Sequence, residues 1–202
     1  MSDEVERPSP HPEPTADLQA RELPVIQVEA SWFRIHKTRH SALYYGRFGK
    51  NRFDAPAQEY GVMYVALDPH GAFIETFGSQ TGIRVVSTDE LSIRSISDLT
   101  CKRPLKLVDI TGPGVVHFGA DGRLATGDHR LAQRWARALW SHPVQVDGIY
   151  YPARHDLSQH CAAIFDRAKS VFDIANTQGC ISRSFSKTLA TILNTYQFGL
   201  VD

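Results

Sequence analysis

Apolar and polar positions along this chain come in short runs with two different periods, and those periods predict the elements. The run VEASWFRIHKT, residues 28–38, mixes aromatic and β-branched side chains and predicts a strand. GVMYVAL, residues 61–67, predicts a second, almost wholly apolar strand. Asp68 followed by Pro69 supplies a capping carboxylate and a proline at the first helical position, so residues 70–77 predict a short helix that stops near Gly78. Residues 84–86 and 105–109 predict further strands, and TGPG from Thr111 a turn. Asp128 caps a predicted helix from His129 to about Trp140, in which Leu131, Trp135, Ala138 and Leu139 recur at helical spacing until His142-Pro143. Residues 148–151 and 161–165 predict two more strands and residues 186–196 a C-terminal helix. Strands and helices are mixed without βαβ alternation, which predicts an α+β fold with mixed sheets and short helices.

Residues 1–22 break this pattern. Pro8, Pro10, Pro12 and Pro14 stand among acidic and small polar residues, which predicts a flexible tail before a single domain over residues 23–202. A 202-residue chain is long enough to bury a core without staples. Lys+Arg and Asp+Glu are both 22, a balance that argues against a nucleic-acid binder built on phosphate neutralisation. Cys101, Cys161 and Cys180 form no CxxC pair, and an odd count suits a reducing compartment. With no secretory signal and no apolar run of transmembrane length, a cytoplasmic location and no membrane partner are expected.

Four positions carry candidate chemistry. Glu75 lies two residues from both Phe73 and Phe77, so it faces away from the side they share, among Gly71, Ala72 and Ser79. Arg34 falls within an apolar strand, on the side of Trp32 and His36, opposite Phe33 and Ile35. The loop GRFGKNRFDAP offers Arg47, Lys50 and Arg52 interleaved with Phe48 and Phe53, a composition able to hold a phosphate and stack a base. Tyr64 lies within the GVMYVAL strand. Taken singly, each has an ordinary alternative: a solvated helix glutamate, an edge arginine in solvent, a loop whose aromatics enter the core, a core tyrosine. His155, Asp156, His160 and Cys161 fit no standard zinc spacing, so no metal site is expected.

In combination and in this order, WFRIHK, then GRFGKNRFDAPAQEYGVMYVALDPHGAFIETF, then DGIYYPARHD resemble the RES-domain family over residues 32–165. The resemblance implies a fold similar to the ADP-ribosyltransferase toxins, with NAD in a cleft between sheet elements. It implies degradation of NAD at the nicotinamide–ribose bond, by phosphorolysis or hydrolysis, and a toxin role beside an antitoxin protein. It puts the family arginine on Arg34, the loop arginine on Arg52, the tyrosine on Tyr64 and the glutamate on Glu75. The family serine falls on Ala153, a departure for which Ser158, five residues on, is the nearby hydroxyl. On this basis Arg34, Arg52, Tyr64 and Ala153 are expected to line the NAD site, with Glu75, Arg34 and Tyr64 catalytic. Arg34 and Arg52 would grip the pyrophosphate, either of them also serving an inorganic phosphate co-substrate, Tyr64 would meet the nicotinamide ribose, and Glu75 would stabilise positive charge on that ribose. Two classes stay open: an NAD-consuming enzyme, and a nucleotide- or partner-binding module of the same fold, which the loss of the serine favours. Homodimerisation is left open.

Overall fold

In a computed structural model of the chain, residues 11–79, 82 and 84–202 are described. In chain order they form β1 (Val25–Val28), β2 (Trp32–Lys37), β3 (Val62–Ala66), α1 (Pro69–Phe77), β4 (Val85–Ser87), α2 (Thr88–Ser92), β5 (Arg94–Cys101), β6 (Leu105–Asp109), α3 (Gly114–His117), α4 (Arg123–Thr126), α5 (His129–Trp140), β7 (Gly148–Ala153), β8 (Asp156–Phe165), β9 (Phe172–Gly179), α6 (Ser186–Tyr196) and β10 (Gly199–Val201). One sheet runs β1-β6-β7-β8-β3-β2-β5-β9, and β10 pairs in parallel with β4 in a small second sheet. In the large sheet the β6–β7 pair is parallel and the other pairs are antiparallel. This is an α+β fold.

Alternation gives the large sheet two unlike faces. Trp32, Met63, Val65, Ala162 and Ile164 point to one side, where they pack with Ala42, Ala168 and Phe172. Phe33, Ile35, Tyr64, Ala66, Ile149, Tyr151 and Cys161 point to the other, which carries the larger core with Phe73, Phe77, Trp135 and Leu139 from α1 and α5. Helix α1 begins as its sequence dictates: the Asp68 carboxylate accepts from the His70 N–H at 2.7 Å, and Pro69 occupies the first position. Phe73 and Phe77 meet with ring centroids 4.7 Å apart, which fixes the helix face turned to the core and hence the face that carries Glu75.

The structure corrects three sequence-based expectations here. The predicted strand over residues 28–38 narrows to β2, between β3 and β5; its first residue, Val28, ends a separate strand, β1, which pairs with β6. Strands β5 and β9 were not predicted, because RSISDLTC and FDIANTQG are too polar for a one-sided pattern. Residues 11–22 are not a flexible tail. Leu18 is fully buried, the Trp135 indole N–H donates to the Pro12 carbonyl at 2.9 Å, and Arg134 pairs with Glu13, so the segment lies along α5. Residues 1–10 lie outside the described residues.

Candidate active site

A cavity of about 360 Å³ opens between the helix-bearing face of the sheet, α1 and the start of α5. That is within the size range of small-molecule pockets, at its lower end. Phe33, Ile35, Tyr64 and Tyr151 line it from the sheet, Glu75, Thr76 and Ser79 from α1 and its end, and Asn51, Arg52, Ala125 and His129 from the β2–β3 loop, α4 and the start of α5.

Glu75 is held in place from β7 and the turn that follows it. The Arg154 backbone N–H donates to Oε1 at 3.0 Å, and the Tyr151 hydroxyl lies 3.4 Å from Oε2. Tyr151 is buried, and burial followed by the Glu75 charge pushes its hydroxyl well above the usual tyrosine range, so it stays a donor. The carboxylate remains half-exposed on the cavity wall.

Arg52 enters from the loop between β2 and β3. Its Nη1 donates to the Gly127 carbonyl at 2.7 Å, just before α5, while its buried Nη2 has no hydrogen-bond partner. A buried guanidinium nitrogen left unpaired costs stability. Burial, and then the Arg154 charge, push the guanidinium below its ordinary value, while Glu75 and the two tyrosines pull it back. Arg52, Glu75 and Arg154 thus form one electrostatic group around the cavity.

Tyr64 lines the cavity, but its hydroxyl is engaged. It accepts from the Phe53 N–H at 2.9 Å and donates to Asp54 Oδ1 at 3.0 Å. Asp54 Oδ2 in turn accepts from the backbone N–H groups of Lys50 and Asn51 and from the Asn51 side chain. Through these bonds the Tyr64 hydroxyl fastens the loop that carries Arg52.

Two further expectations change. Arg34 belongs to the cavity-lining stretch of β2, but its guanidinium is not with Glu75. Alternation sends it to the Trp32 side, where Nη1 donates to the carbonyls of Ala42 at 2.6 Å and Tyr44 at 2.8 Å, and burial pushes it down to about 10. The Arg34 guanidinium is therefore not brought together with Arg52, because successive residues of a strand face opposite ways; the arginine that shares the cavity lining with Arg52 through the turn after β7 is Arg154. Ala153 is completely buried in the larger core and is not among the cavity-lining residues. Ser158 does not stand in for a hydroxyl there: its Oγ donates to Asp156 Oδ1 at 2.6 Å, and the serine on the cavity wall is Ser79.

Arg154, His155, Tyr151 and His129 join the site although sequence reasoning assigns them no role in it: the first three lie within the DGIYYPARHD run. Within the zinc-like set, His155 and Cys161 line the cavity, His160 stacks on Tyr150 at 5.3 Å, and Asp156 accepts from the Tyr196 hydroxyl at 2.8 Å.

A sequence model of the RES domain matches residues 31–185. The probable toxin y4kH of Sinorhizobium fredii (strain NBRC 101917 / NGR234) is 28% identical over 113 residues, which cover 55% of this chain and 87% of that protein. The crystal structure of the M. tuberculosis MbcT–MbcA toxin–antitoxin complex contains a similar fold, with a TM-score of 0.65 at 14% identity, covering 82% of this chain and 92% of the matched one.

Proposed function

The chain belongs to the RES domain family, and from that membership we propose that it is an NAD-consuming enzyme that breaks the nicotinamide–ribose bond and acts as the toxin of a toxin–antitoxin pair. One observation carries the reading: Glu75, half-exposed, and Arg52, whose buried Nη2 has no hydrogen-bond partner among the described residues, line the same cavity. The first is suited to a cation that develops during reaction, the second to an anionic group that stays fixed.

The bond chemistry needs that pair. In NAD the pyridinium takes the bonding electrons and leaves as neutral nicotinamide, so no acid has to protonate it. The barrier lies in positive charge growing on the ribose, as in glycoside cleavage. Glu75, kept in place by Arg154 N–H and Tyr151 Oη, supplies a preorganised negative charge beside that carbon. Arg52 and Arg154 hold the pyrophosphate through charge-assisted hydrogen bonds, with the planar fork of each guanidinium matched to two phosphate oxygens. Tyr64 and Asp54 keep the Arg52 loop in register. The acceptor of the ribosyl group is phosphate or water.

The toxin role is supported by the names of the relatives, y4kH as a probable toxin and MbcT as a toxin with its antitoxin MbcA. It implies a partner protein that silences the activity. The test is to incubate purified protein with NAD, with and without inorganic phosphate, and to follow free nicotinamide. Release from the wild type and its loss in Glu75→Gln support the reading. NAD binding without release would instead make the chain a nucleotide-binding module, the alternative favoured by the absence of a hydroxyl at Ala153. Growth arrest on expression, relieved by the product of a neighbouring gene, tests the toxin role.

A further inference from the structure

Within the cavity described above, one base is left without a task. His155 follows Arg154, whose backbone holds Glu75, so the ring and the carboxylate come from the two sides of one contact. A side chain on Gly78 would meet the His155 ring carbons Cγ and Cδ2 at 3.0 Å, so the end of α1 leaves room for the ring. Neither ring nitrogen has a hydrogen-bond partner among the described residues.

Of the other titratable groups, Tyr151, Cys161, His129 and Glu75 are engaged or hold their protons. Tyr151 gives its proton toward Glu75. Cys161 is buried and holds its proton, because burial and then Glu75 push the thiol well above its usual value. His129 contacts the Lys50 carbonyl through Nδ1 at 3.3 Å, at the Arg52 end of the cavity. Both oxygens of Glu75 already receive donors from the protein.

We propose that His155 is the general base that takes a proton from the water attacking the nicotinamide ribose, so that this chain is a hydrolase. The proposal rests on the reading of the Glu75 cavity as the site of NAD cleavage. A lone pair of the water oxygen forms the bond to the ribose C1′, and the C1′–N bonding pair leaves with nicotinamide. One water proton passes to His155 and then to solvent, so NAD and water give ADP-ribose, nicotinamide and a proton. Phosphate, already an anion, needs no such base; water does.

The electrostatics suit the role. Burial lowers the His155 pKa below the ordinary histidine value, Glu75 opposes that, and Arg154 adds to it; Arg52 is the other arginine whose side chain faces this cavity. The ring is thereby neutral and able to accept a proton at neutral pH.

The experiment compares wild type, His155→Gln and His155→Asn, each checked for an unchanged thermal transition, in isotopically labelled water with and without phosphate. The expected product is labelled ADP-ribose, formed at the same rate with or without phosphate. Both variants should lose about 10²–10⁴-fold in kcat with KM unchanged. The wild-type kcat should rise with pH through an inflection below the ordinary histidine value, and the variants should lack that inflection. Azide, a nucleophile with no proton to give up, should restore nicotinamide release in both variants. A phosphate-bearing product, or variants that turn over at the wild-type rate, would overturn the assignment and leave NAD cleavage standing. A wild type that never releases nicotinamide would remove both.

Discussion

The backbone N–H of Arg154 and the carboxylate of Glu75 are 3.0 Å apart, and this one bond ties the end of β7 to the exposed face of α1. A main-chain donor does not swing away as a long side chain does, so Glu75 is aimed at the cavity by the fold itself rather than by a surface ion pair. The neighbouring Arg154 and His155 side chains line the same cavity, so the turn that aims the carboxylate also furnishes a cation and a base.

For Glu75→Gln, the amide oxygen keeps one acceptor and the shape is retained. Nicotinamide release should fall by about 10²–10³-fold or more, the range seen when one preorganised charge-stabilising group is removed. The thermal transition should stay within about 1 kcal/mol of wild type, measured by denaturant melts.

Arg52 and Arg34 should separate cleanly. Arg52→Lys keeps the charge and loses the fork, and should raise the KM for NAD by about tenfold, since 1.4 kcal/mol of lost phosphate contact is that factor. Arg34→Lys should instead leave the KM of the folded protein unchanged and lower stability by about 1–3 kcal/mol, because its guanidinium satisfies the Ala42 and Tyr44 carbonyls. Equal effects on KM in the two variants would contradict the placement of Arg34 on the far face of the sheet.

Tyr64→Phe removes the hydroxyl that links the Phe53 N–H to Asp54 Oδ1. A cost of about 1–3 kcal/mol is expected from the unpaired buried groups, together with a raised KM as the Arg52 loop loosens. The pH dependence of turnover should not change, because the Tyr64 hydroxyl, pushed up by burial and then by Asp54, is not a titrating group of the reaction.

The cysteines give a check on burial. Cys101 and Cys180 are each pushed up to about 11, chiefly by burial, and burial likewise pushes Cys161 well above its usual value. Since the thiolate is the reactive form, alkylation of the native protein at pH 8 should be far slower than that of the unfolded chain, as read by intact mass.

Removing residues 1–22 should destabilise the domain, not merely trim it. Loss of buried Leu18 alone is expected to cost about 2–5 kcal/mol, and Trp135 loses the Pro12 carbonyl. An unchanged melting temperature would count against the packing of this segment on α5.

What local pattern controls was legible in the chain. The Asp68–Pro69 cap, the Phe73/Phe77 side of α1, the 129–140 helix and the outward turn of Glu75 follow from periods of two and 3.6 residues and from capping chemistry. The same alternation already put Arg34 with Trp32 and opposite Phe33, but a sequence does not say which side of a two-sided sheet holds a cavity. That was decided by α1 and α5 packing on the Phe33 side. β5 and β9 were hidden because each is too polar to show a one-sided pattern. Which residues surround Glu75 was likewise tertiary: Arg52 and Arg154 are 102 positions apart in the numbering, and the antiparallel β7–β8 pair and the β2–β3 loop bring them to one cavity. Period and propensity are local quantities, whereas a site is made by contacts between distant segments, and the energy of those contacts is written in no single stretch of the chain.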